Sequence, residues 1–331
     1  MLRVGLLGCG RIGQVHARSI KALDGVRVVA VSDAVPAAAE ALAQVTGAAT
    51  RDTAAILSGA DVDAVVIGTP TDTHFDLIQG AAEAGKAIFC EKPVDMSVDN
   101  IRACIATVTQ AGVTFMTGFN RRFDPNFANL RARIRAGDIG AVELVTITSR
   151  DPSPPPVSYI ERSGGLFRDM MIHDFDMARF LMGEEFIRLQ AVGSALVDPA
   201  IGAAGDVDTA AVILTTASGR ICQISNSRRA TYGYDQRIEV HGERGMLRAE
   251  NQLQTTVEIA TQAGFRRDPA QHFFLERYEA AYLAEMRAFV HAATGGNVAE
   301  PGIGDGLQAQ ILADAATLSC ETRQPVDLPA G

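Results

Sequence analysis

The sequence of 331 residues has few of the features that mark membrane, secreted or disulfide-rich proteins. Its longest stretch without a charged residue, 103–120, contains several threonines, whereas a membrane-spanning helix needs about 20 mostly apolar residues. The five cysteines form no CxxC pair, and their odd number argues against a disulfide framework. The chain opens on an apparent strand rather than on a signal peptide. These absences predict a cytoplasmic protein with reduced thiols.

Lysines are also scarce, and no basic stripe is visible. A net charge of −9 and a pI of about 5.2 argue against binding to nucleic acid. Only three of the 30 basic residues are lysines, namely Lys21, Lys86 and Lys92. The sequence has no HExxH motif and its histidines are scattered, so we expect no metal site. It also has no GxSxG motif, so a serine nucleophile is not indicated.

The order of apolar segments predicts two domains. In residues 1–120, apolar strands alternate with amphipathic helices, a rhythm typical of a doubly wound parallel sheet. After residue 120, short strands follow one another with tight links, which indicates antiparallel hairpins. Hydrophobic residues make up 47% of the chain, enough for each domain to bury a core.

The first strand leads into a glycine-rich turn, Gly8-Cys9-Gly10-Arg11-Ile12-Gly13, that opens a helix. In this context the motif predicts a dinucleotide site, with the pyrophosphate at the helix N-terminus. Asp33 ends the second strand, where a carboxylate can accept hydrogen bonds from ribose hydroxyls and repel a 2′-phosphate. The sequence therefore predicts NAD rather than NADP. The alternative is an ordinary glycine turn beside a surface aspartate.

Two further segments follow strands of the first domain. Gly68-Thr69-Pro70 and Glu91-Lys92-Pro93 should both lie at the carboxyl edge of the sheet, where ligands bind in such folds. Lys92 could donate hydrogen bonds to a substrate oxygen and stabilise negative charge on it, or it could be a solvated surface lysine. The predicted cofactor-binding residues are Gly8, Gly10, Arg11, Ile12, Gly13, Asp33, Thr69, Pro70, Glu91 and Lys92.

A second candidate group lies in the segment Gly164–Asp174. If this segment is helical, Asp169 and His173 are four residues apart on one face. A carboxylate beside an imidazole can fix its tautomer and favour its action as a general base. The alternative is an acid near a helix start and a partly buried histidine. We expect Asp174 and Asp176 to face solvent or to cap the helix.

In these motifs the chain resembles the Gfo/Idh/MocA oxidoreductase family over essentially its whole length. Four further segments, 118–127, 149–156, 167–177 and 232–242, resemble the inositol 2-dehydrogenases of that family. The resemblance implies that Lys92, Asp169 and His173 are catalytic. It also implies NAD-dependent oxidation of a ring hydroxyl of myo-inositol.

The resemblance also implies a fold. It consists of a Rossmann domain (1–120) and an α+β domain (121–331) with an open, mostly antiparallel sheet that has helices on one face. We expect the last helix, at about 305–320, to pack near the first domain. The other sheet face, which carries alternating apolar residues, should pair subunits into a homo-oligomer, with a tetramer expected.

A cyclitol presents only hydroxyl groups, so its site must supply several polar side chains. By the resemblance, these are expected to be Asn120, Arg122, Asp151, Tyr232 and Tyr234, besides the three catalytic residues. Arg122 could instead cap a helix or pair with Asp124. One of the two tyrosines should face the substrate and the other should pack.

Two alternatives to myo-inositol oxidation stay open. The substrate could be scyllo-inositol, another cyclitol or a pyranose, since these differ in the orientation of single hydroxyl groups. The protein could also be a non-catalytic NAD-binding sensor, since a fold alone does not establish a function.

Overall fold

The computed structural model describes residues 1–329, which form two compact units. The first unit comprises Met1–Phe123 together with Ala280–Gln310. The second comprises Asp124–Glu279 together with the described residues from Ile311 onward. The main segment of the first unit ends at Phe123, near the predicted boundary at residue 120, but the unit also includes Ala280–Gln310, which the sequence predicted to lie in the second domain.

A single parallel sheet organises the first unit. Its strands are β1 (Leu2–Leu7), β2 (Val26–Ser32), β3 (Ala49–Thr50), β4 (Ala64–Ile67), β5 (Ala87–Glu91) and β6 (Phe115–Gly118). The order across the sheet is β3-β2-β1-β4-β5-β6, and every neighbouring pair is parallel. This order is that of a doubly wound Rossmann sheet, so the predicted fold class is confirmed.

Helices connect these strands, as the alternating pattern predicted. They are α1 (Arg11–Lys21), α2 (Pro36–Thr46), α3 (Thr53–Ser58), α4 (His74–Glu83) and α5 (Val98–Ala111). All four residues of β4 are buried, which fits a central strand covered on both faces. Helix α2 has a proline at its start and ends at Gly47, whose φ of +73° favours glycine.

The second unit contains a mixed sheet of seven strands. The strands of this unit are β7 (Val142–Arg150), β8 (Phe186–Ser194), β9 (Thr209–Thr216), β10 (Ile221–Ser227), β11 (Asp235–Gly242), β12 (Gly245–Ala249), β13 (Glu258–Thr261), β14 (Gly264–Arg267) and β15 (Val326–Asp327). The seven-stranded sheet has the order β12-β11-β7-β10-β9-β8-β15, and only β7 and β10 pair in parallel. Strands β13 and β14 form a separate hairpin. The predicted mostly antiparallel sheet is confirmed.

The helices of the second unit before residue 279 are α6 (Pro125–Ala136), α7 (Val157–Ser163), α8 (Gly165–Asp169), α9 (Ile172–Met182), α10 (Pro199–Ala203) and α11 (Phe274–Arg277). Helix α9 packs against β7. Along β10, Cys222 and Ile224 are buried while Ile221 and Gln223 are exposed, so this sheet buries one face of the strand and exposes the other.

Two helices follow each other closely around Tyr278. Helix α11 ends before Tyr278, and α12 (Glu279–Ala293) continues in the first unit. The last helix, α13 (Ile303–Thr322), has its first residues in the first unit and its remainder in the second. Across residues 1–329, none of the helices has the length and apolar character that crossing a membrane requires.

Candidate active site

Three glycines shape the turn between β1 and α1. Gly8 has a φ of +93°, and a Cβ there would lie 2.6 Å from the carbonyl of Gly68. A Cβ on Gly13 would lie 1.9 Å from the carbonyl oxygen of Gly8. A Cβ on Gly10, by contrast, would meet no atom within 4 Å. The outer glycines are therefore required by packing, whereas Gly10 leaves space at the start of α1 where a pyrophosphate can approach the backbone.

Helix α1 begins at Arg11, which is exposed, and continues with the half-buried Ile12. Its N-cap residue, Gly10, has no side chain that could bind the first N–H groups of the helix. Those groups therefore point toward the open space beside Gly10 and can donate to a phosphate.

Asp33 follows β2 and is fixed beside the glycine turn. Its Oδ2 accepts a hydrogen bond of 2.6 Å from the backbone N–H of Cys9, and its Oδ1 accepts one of 2.8 Å from Val35. A carboxylate has about four acceptor positions, so further positions remain for ribose hydroxyls. Together, the open turn and the fixed acidic group fit NAD, and the negative charge opposes a 2′-phosphate.

Four candidate residues lie along one edge of the parallel sheet. Gly8 follows β1, Asp33 follows β2, Thr69 comes shortly after β4, and Lys92 follows β5. These strands are neighbours in the order β2-β1-β4-β5, so their carboxyl ends share the same edge. The structure thus brings the predicted cofactor residues and Lys92 of the first unit together at the edge where ligands bind in such sheets.

A buried histidine links the segments after β4 and β5. The ring of His74, the first residue of α4, lies with Nε2 3.0 Å from the carbonyl oxygen of Thr69 and with Nδ1 2.8 Å from that of Pro93. Burial lowers the pKa of His74, so the neutral ring donates to only one carbonyl at a time. Thr73 also donates to Thr69 through their hydroxyl groups, at 2.7 Å, whereas Pro70 is exposed.

A second buried histidine holds the residue that precedes Lys92. The Nε2 atom of His16, in α1, lies 2.7 Å from Oε1 of Glu91. Because an ionised carboxylate only accepts hydrogen bonds, we assign the His16 proton to Nε2. The His16 ring is completely buried and packs edge-on against Phe89 and Tyr282. The half-buried Lys92 is thus flanked by two neighbours, Glu91 and Pro93, that buried imidazoles hold in place.

Two of the predicted substrate residues lie in a short 3-10 turn at the end of the first unit's main segment. Asn120 is buried, with 3% of its surface exposed. Arg122 forms an ion pair with Asp305, with Nη2 2.8 Å from Oδ1. The sequence had suggested Asp124 as a possible partner of Arg122 and gave no indication of Asp305. Asp124 instead caps α6 and pairs with Arg277.

The helix predicted to carry Asp169 and His173 is interrupted. Asp169 is the last residue of α8, and His173 is the second residue of α9, with Met170 and Met171 between the two helices. The expectation of one continuous helical face was therefore wrong. A hydrogen bond between Asp169 and His173 stays a prediction.

The carboxylate of Asp169 is held by two side chains that sequence reasoning missed. Its Oδ1 accepts a hydrogen bond of 2.9 Å from the Tyr159 hydroxyl, and its Oδ2 lies 3.4 Å from Nη1 of Arg228. Partial burial, and then the nearby Asp169 charge, raise the pKa of Tyr159 far above its usual range. Tyr159 therefore stays protonated and acts as a donor.

The prediction that Asp174 and Asp176 face solvent was wrong. Both are buried, with 0% and 1% of their surfaces exposed. Oδ2 of Asp174 accepts a hydrogen bond of 2.9 Å from the Asn226 amide. A buried carboxyl group needs such a hydrogen-bond partner. Asn226 lies 52 positions further along the chain than Asp174, so a local sequence pattern could not reveal this contact.

The remaining predicted substrate residues lie in the second unit. Asp151 directly follows β7 and is half-buried. Tyr232 is nearly half exposed, and its hydroxyl donates to Asp235 at 2.7 Å and accepts from Arg150 at 3.1 Å. Tyr234 is buried and packs edge-on against Tyr278. One tyrosine thus packs, as expected, and the other is accessible. Among residues 1–329, no cluster of three or more His, Cys, Asp or Glu side chains could hold a metal ion.

Comparisons with known proteins agree with the motifs. Residues 2–119 match the profile described as oxidoreductase family, NAD-binding Rossmann fold, and residues 127–248 match the GFO/IDH/MocA C-terminal domain. The chain is 56% identical over 327 residues to inositol 2-dehydrogenase of Rhizobium meliloti (strain 1021), covering 99% of each chain. Two crystal structures are closely similar to this fold. They are a myo-inositol dehydrogenase from Corynebacterium glutamicum (TM-score 0.96, 41% identity, 100% of both chains covered) and a scyllo-inositol dehydrogenase from Lactobacillus casei solved with NAD(H) and scyllo-inositol (TM-score 0.93, 30% identity, 99% of both). The chain therefore belongs to the GFO/IDH/MocA family of NAD-binding oxidoreductases, as its motifs predicted.

Proposed function

We propose that this protein oxidises a ring hydroxyl of myo-inositol with NAD⁺, giving 2-keto-myo-inositol and NADH. The observation that carries this proposal is the 56% identity, along 99% of the chain, to a relative named inositol 2-dehydrogenase. The first unit supports it, because a fixed acidic group after β2 suits the ribose of NAD and a lysine follows β5 at the same edge. When bound, NAD⁺ supplies the hydride acceptor.

The chain itself supplies the groups that handle the proton and the oxygen. We expect His173 to take the hydroxyl proton while the carbon of the substrate loses its hydride and the C=O double bond forms. Asp169 assists His173 as a fixed carboxylate. The Lys92 ammonium donates to the substrate oxygen and stabilises the negative charge that develops on it.

Binding of the other ring hydroxyls falls to polar side chains of both units. Asn120, Asp151 and Tyr232 remain proposed contacts, whereas Tyr234 packs against Tyr278 and is the tyrosine that we do not expect to face the substrate. Arg122 is already paired with Asp305, so it would act on substrate together with that carboxylate or hold the turn that carries Asn120. A site built from such groups rejects analogues that leave a buried polar partner unsatisfied.

A substrate panel tests the proposal directly. NADH or NADPH formation is measured with NAD⁺ or NADP⁺ and with myo-inositol, scyllo-inositol and glucose in turn. We expect the highest kcat/KM with myo-inositol and NAD⁺. A preference for NADP⁺ would contradict the role of Asp33. If calorimetry shows NAD⁺ binding but no compound is turned over, the proposed dehydrogenase activity is contradicted and a non-catalytic NAD-binding sensor is favoured.

Oxidation of scyllo-inositol is the second candidate function. The observation in its favour is the similarity to the Lactobacillus casei scyllo-inositol dehydrogenase, at 30% identity and a TM-score of 0.93. The two inositols differ in the orientation of one hydroxyl group. A higher kcat/KM for scyllo-inositol in the same panel would select this function over the first.

We also propose that the protein is a homo-oligomer, with a tetramer expected. The exposed face of the seven-stranded sheet carries at least five exposed apolar side chains, namely Leu144, Val192, Ile213, Ile221 and Met246, and Val192 and Ile213 are more than half exposed. Leu144 and Ile221 are directly paired neighbours on that face. An apolar sheet face of this kind favours association. A monomer in light scattering at micromolar concentration would contradict the proposal. The cytoplasmic location stays a prediction from the cysteine content.

A further inference from the structure

Arg228, which follows β10, is one of the largest fully buried side chains in the described chain, with 1% of its surface exposed. An arginine side chain carries a positively charged guanidinium group. Removing such a charge from water is costly unless opposite charges and hydrogen bonds compensate for it. The side chains that surround Arg228 should therefore include groups that compensate for its buried positive charge.

Two carboxylates of the second unit face this guanidinium. Nη1 and Nη2 of Arg228 lie 3.4 and 3.5 Å from Oδ2 of Asp169, and Nη2 lies 3.8 Å from Oδ2 of Asp206. Both aspartate side chains are largely buried, with 14% and 12% of their surfaces exposed. Attraction between opposite charges at these distances is much stronger in such surroundings than in open water.

Asp206 is in turn fixed at the start of α8. Its Oδ1 accepts a hydrogen bond of 3.0 Å from the backbone N–H of Leu166. A Cβ on Gly165 would lie 2.7 Å from the same oxygen, and Gly165 has a φ of +82°, so glycine is required there. The second glycine of the Gly164-Gly165 pair thus allows Asp206 to approach the helix whose last residue is Asp169.

The backbone of Arg228 is also anchored. Its N–H donates to the carbonyl oxygen of Asp208 at 2.8 Å. The carboxylate of Asp208 accepts hydrogen bonds from the backbone N–H groups of Leu196, Val197 and Asp198, at 2.8 to 3.0 Å. The position of the guanidinium is therefore set at both ends of the side chain.

We propose that Arg228, held by Asp206, is the positioning residue for Asp169. Its charge holds Oδ2 of Asp169 in place, while Tyr159 holds Oδ1. Arg228 acts through Asp169 and is too deeply buried to take part in the chemistry itself. This inference rests on the proposed function, in which Asp169 assists the general base His173.

The test is a cycle of four proteins: wild type, Arg228→Gln, Asp169→Asn and the double variant. We expect Arg228→Gln to lower kcat roughly tenfold to a hundredfold with the KM for NAD⁺ unchanged, since a displacement of about 1 Å can cost about a hundredfold in rate. In the Asp169→Asn background the same substitution should have little further effect, because its action passes through the lost carboxylate.

Two further variants separate positioning from general damage to the fold. Arg228→Lys keeps the charge and should recover part of the activity, although it lacks the planar guanidinium. Arg229→Gln removes the adjacent exposed arginine and should leave kcat unchanged. If Arg228→Gln does not fold, the comparison of Arg228→Lys in the two Asp169 backgrounds gives the same information.

The possible failures are distinguishable. An equal loss of kcat from Arg228→Gln in both Asp169 backgrounds would overturn the role of Arg228 and leave the proposed function intact, as would wild-type kcat in a folded Arg228→Gln protein. Absence of inositol-dependent NADH formation by the wild type would instead reject the proposed function.

Discussion

The two units support their candidate catalytic groups in different ways. In the first unit Lys92 is held through its chain neighbours, because buried imidazoles of His16 and His74 contact Glu91 and the carbonyl of Pro93. In the second unit the carboxylate of Asp169 is contacted directly by the guanidinium of Arg228 and by a phenol.

A charged side chain can thus be positioned either through the backbone that carries it or through direct contacts to its charged group. At Lys92 the backbone turn after β5 is fixed, and the ammonium can reach outward from it. At Asp169 the short helix ends at the residue itself, so opposite charge must fix the carboxylate. We therefore expect substitutions around Lys92 to act on activity through the backbone turn, and substitutions around Asp169 to act on activity through the carboxylate itself. Loss of a buried partner should lower stability in both units.

The largest expected effect comes from His173→Ala, which removes the proposed general base of the second unit. Loss of a general base lowers rates by about 10²- to 10⁴-fold, so we expect kcat to fall in that range. NAD⁺ affinity should stay unchanged, because the predicted nucleotide residues lie in the first unit. Steady-state NADH formation and calorimetry measure the two quantities.

A matched histidine provides the control. His291 is exposed and lies in α12, away from the helices α8 and α9 in the sequence. His291→Ala should retain wild-type kcat. Wild-type turnover in His173→Ala would show that another group takes the proton.

His16→Ala tests the contact that holds Glu91, the residue before Lys92, and should have a smaller effect on rate. The substitution leaves the largely buried Glu91 carboxylate without its imidazole partner, which should cost about 1–3 kcal/mol in the free energy of unfolding. We expect kcat to fall about tenfold, because the turn that carries Lys92 loosens.

Denaturant unfolding and steady-state kinetics give the two values for this variant. His16→Gln keeps a donor and should recover part of both. The exposed His291 serves as the control, and His291→Ala should change neither. Loss of stability with unchanged kcat would mean that the contact between His16 and Glu91 braces the fold without positioning Lys92.

Tyr159→Phe should have the smallest effect. It removes the phenol contact to Asp169, and because Tyr159 is about half exposed this hydrogen bond contributes only about 0.5–1.5 kcal/mol. We therefore expect kcat to fall by about two- to tenfold with an unchanged KM for NAD⁺. A loss as large as that of Arg228→Gln would show that the phenol, rather than the charge, is the main support.

Local sequence patterns were sufficient for the fold and for the motif residues. The glycine turn, Asp33 and Lys92 each directly follow a strand, so their shared edge follows from strand order. The family was also evident from these motifs, and the comparisons confirm it.

The supporting contacts were beyond the reach of the sequence. His16 and Glu91 are 75 positions apart, and Asp169 and Arg228 are 59 apart, so only the folded chain pairs them. A run of two arginines at the end of a strand was the one available signal for Arg228. The break between α8 and α9 was missed because Met170 and Met171 are good helix formers, and tertiary packing overrides such a weak preference.

The central claim is that Lys92 and His173 act on the same hydroxyl group in one chemical step. The most direct test measures kcat for NADH formation from myo-inositol in Lys92→Ala, His173→Ala and the double variant, with NAD⁺ binding checked in each. Residues that act as a unit are strongly non-additive, so we predict that the double variant loses little more activity than the worse single variant. Losses that simply multiply, or wild-type turnover in Lys92→Ala, would contradict the account.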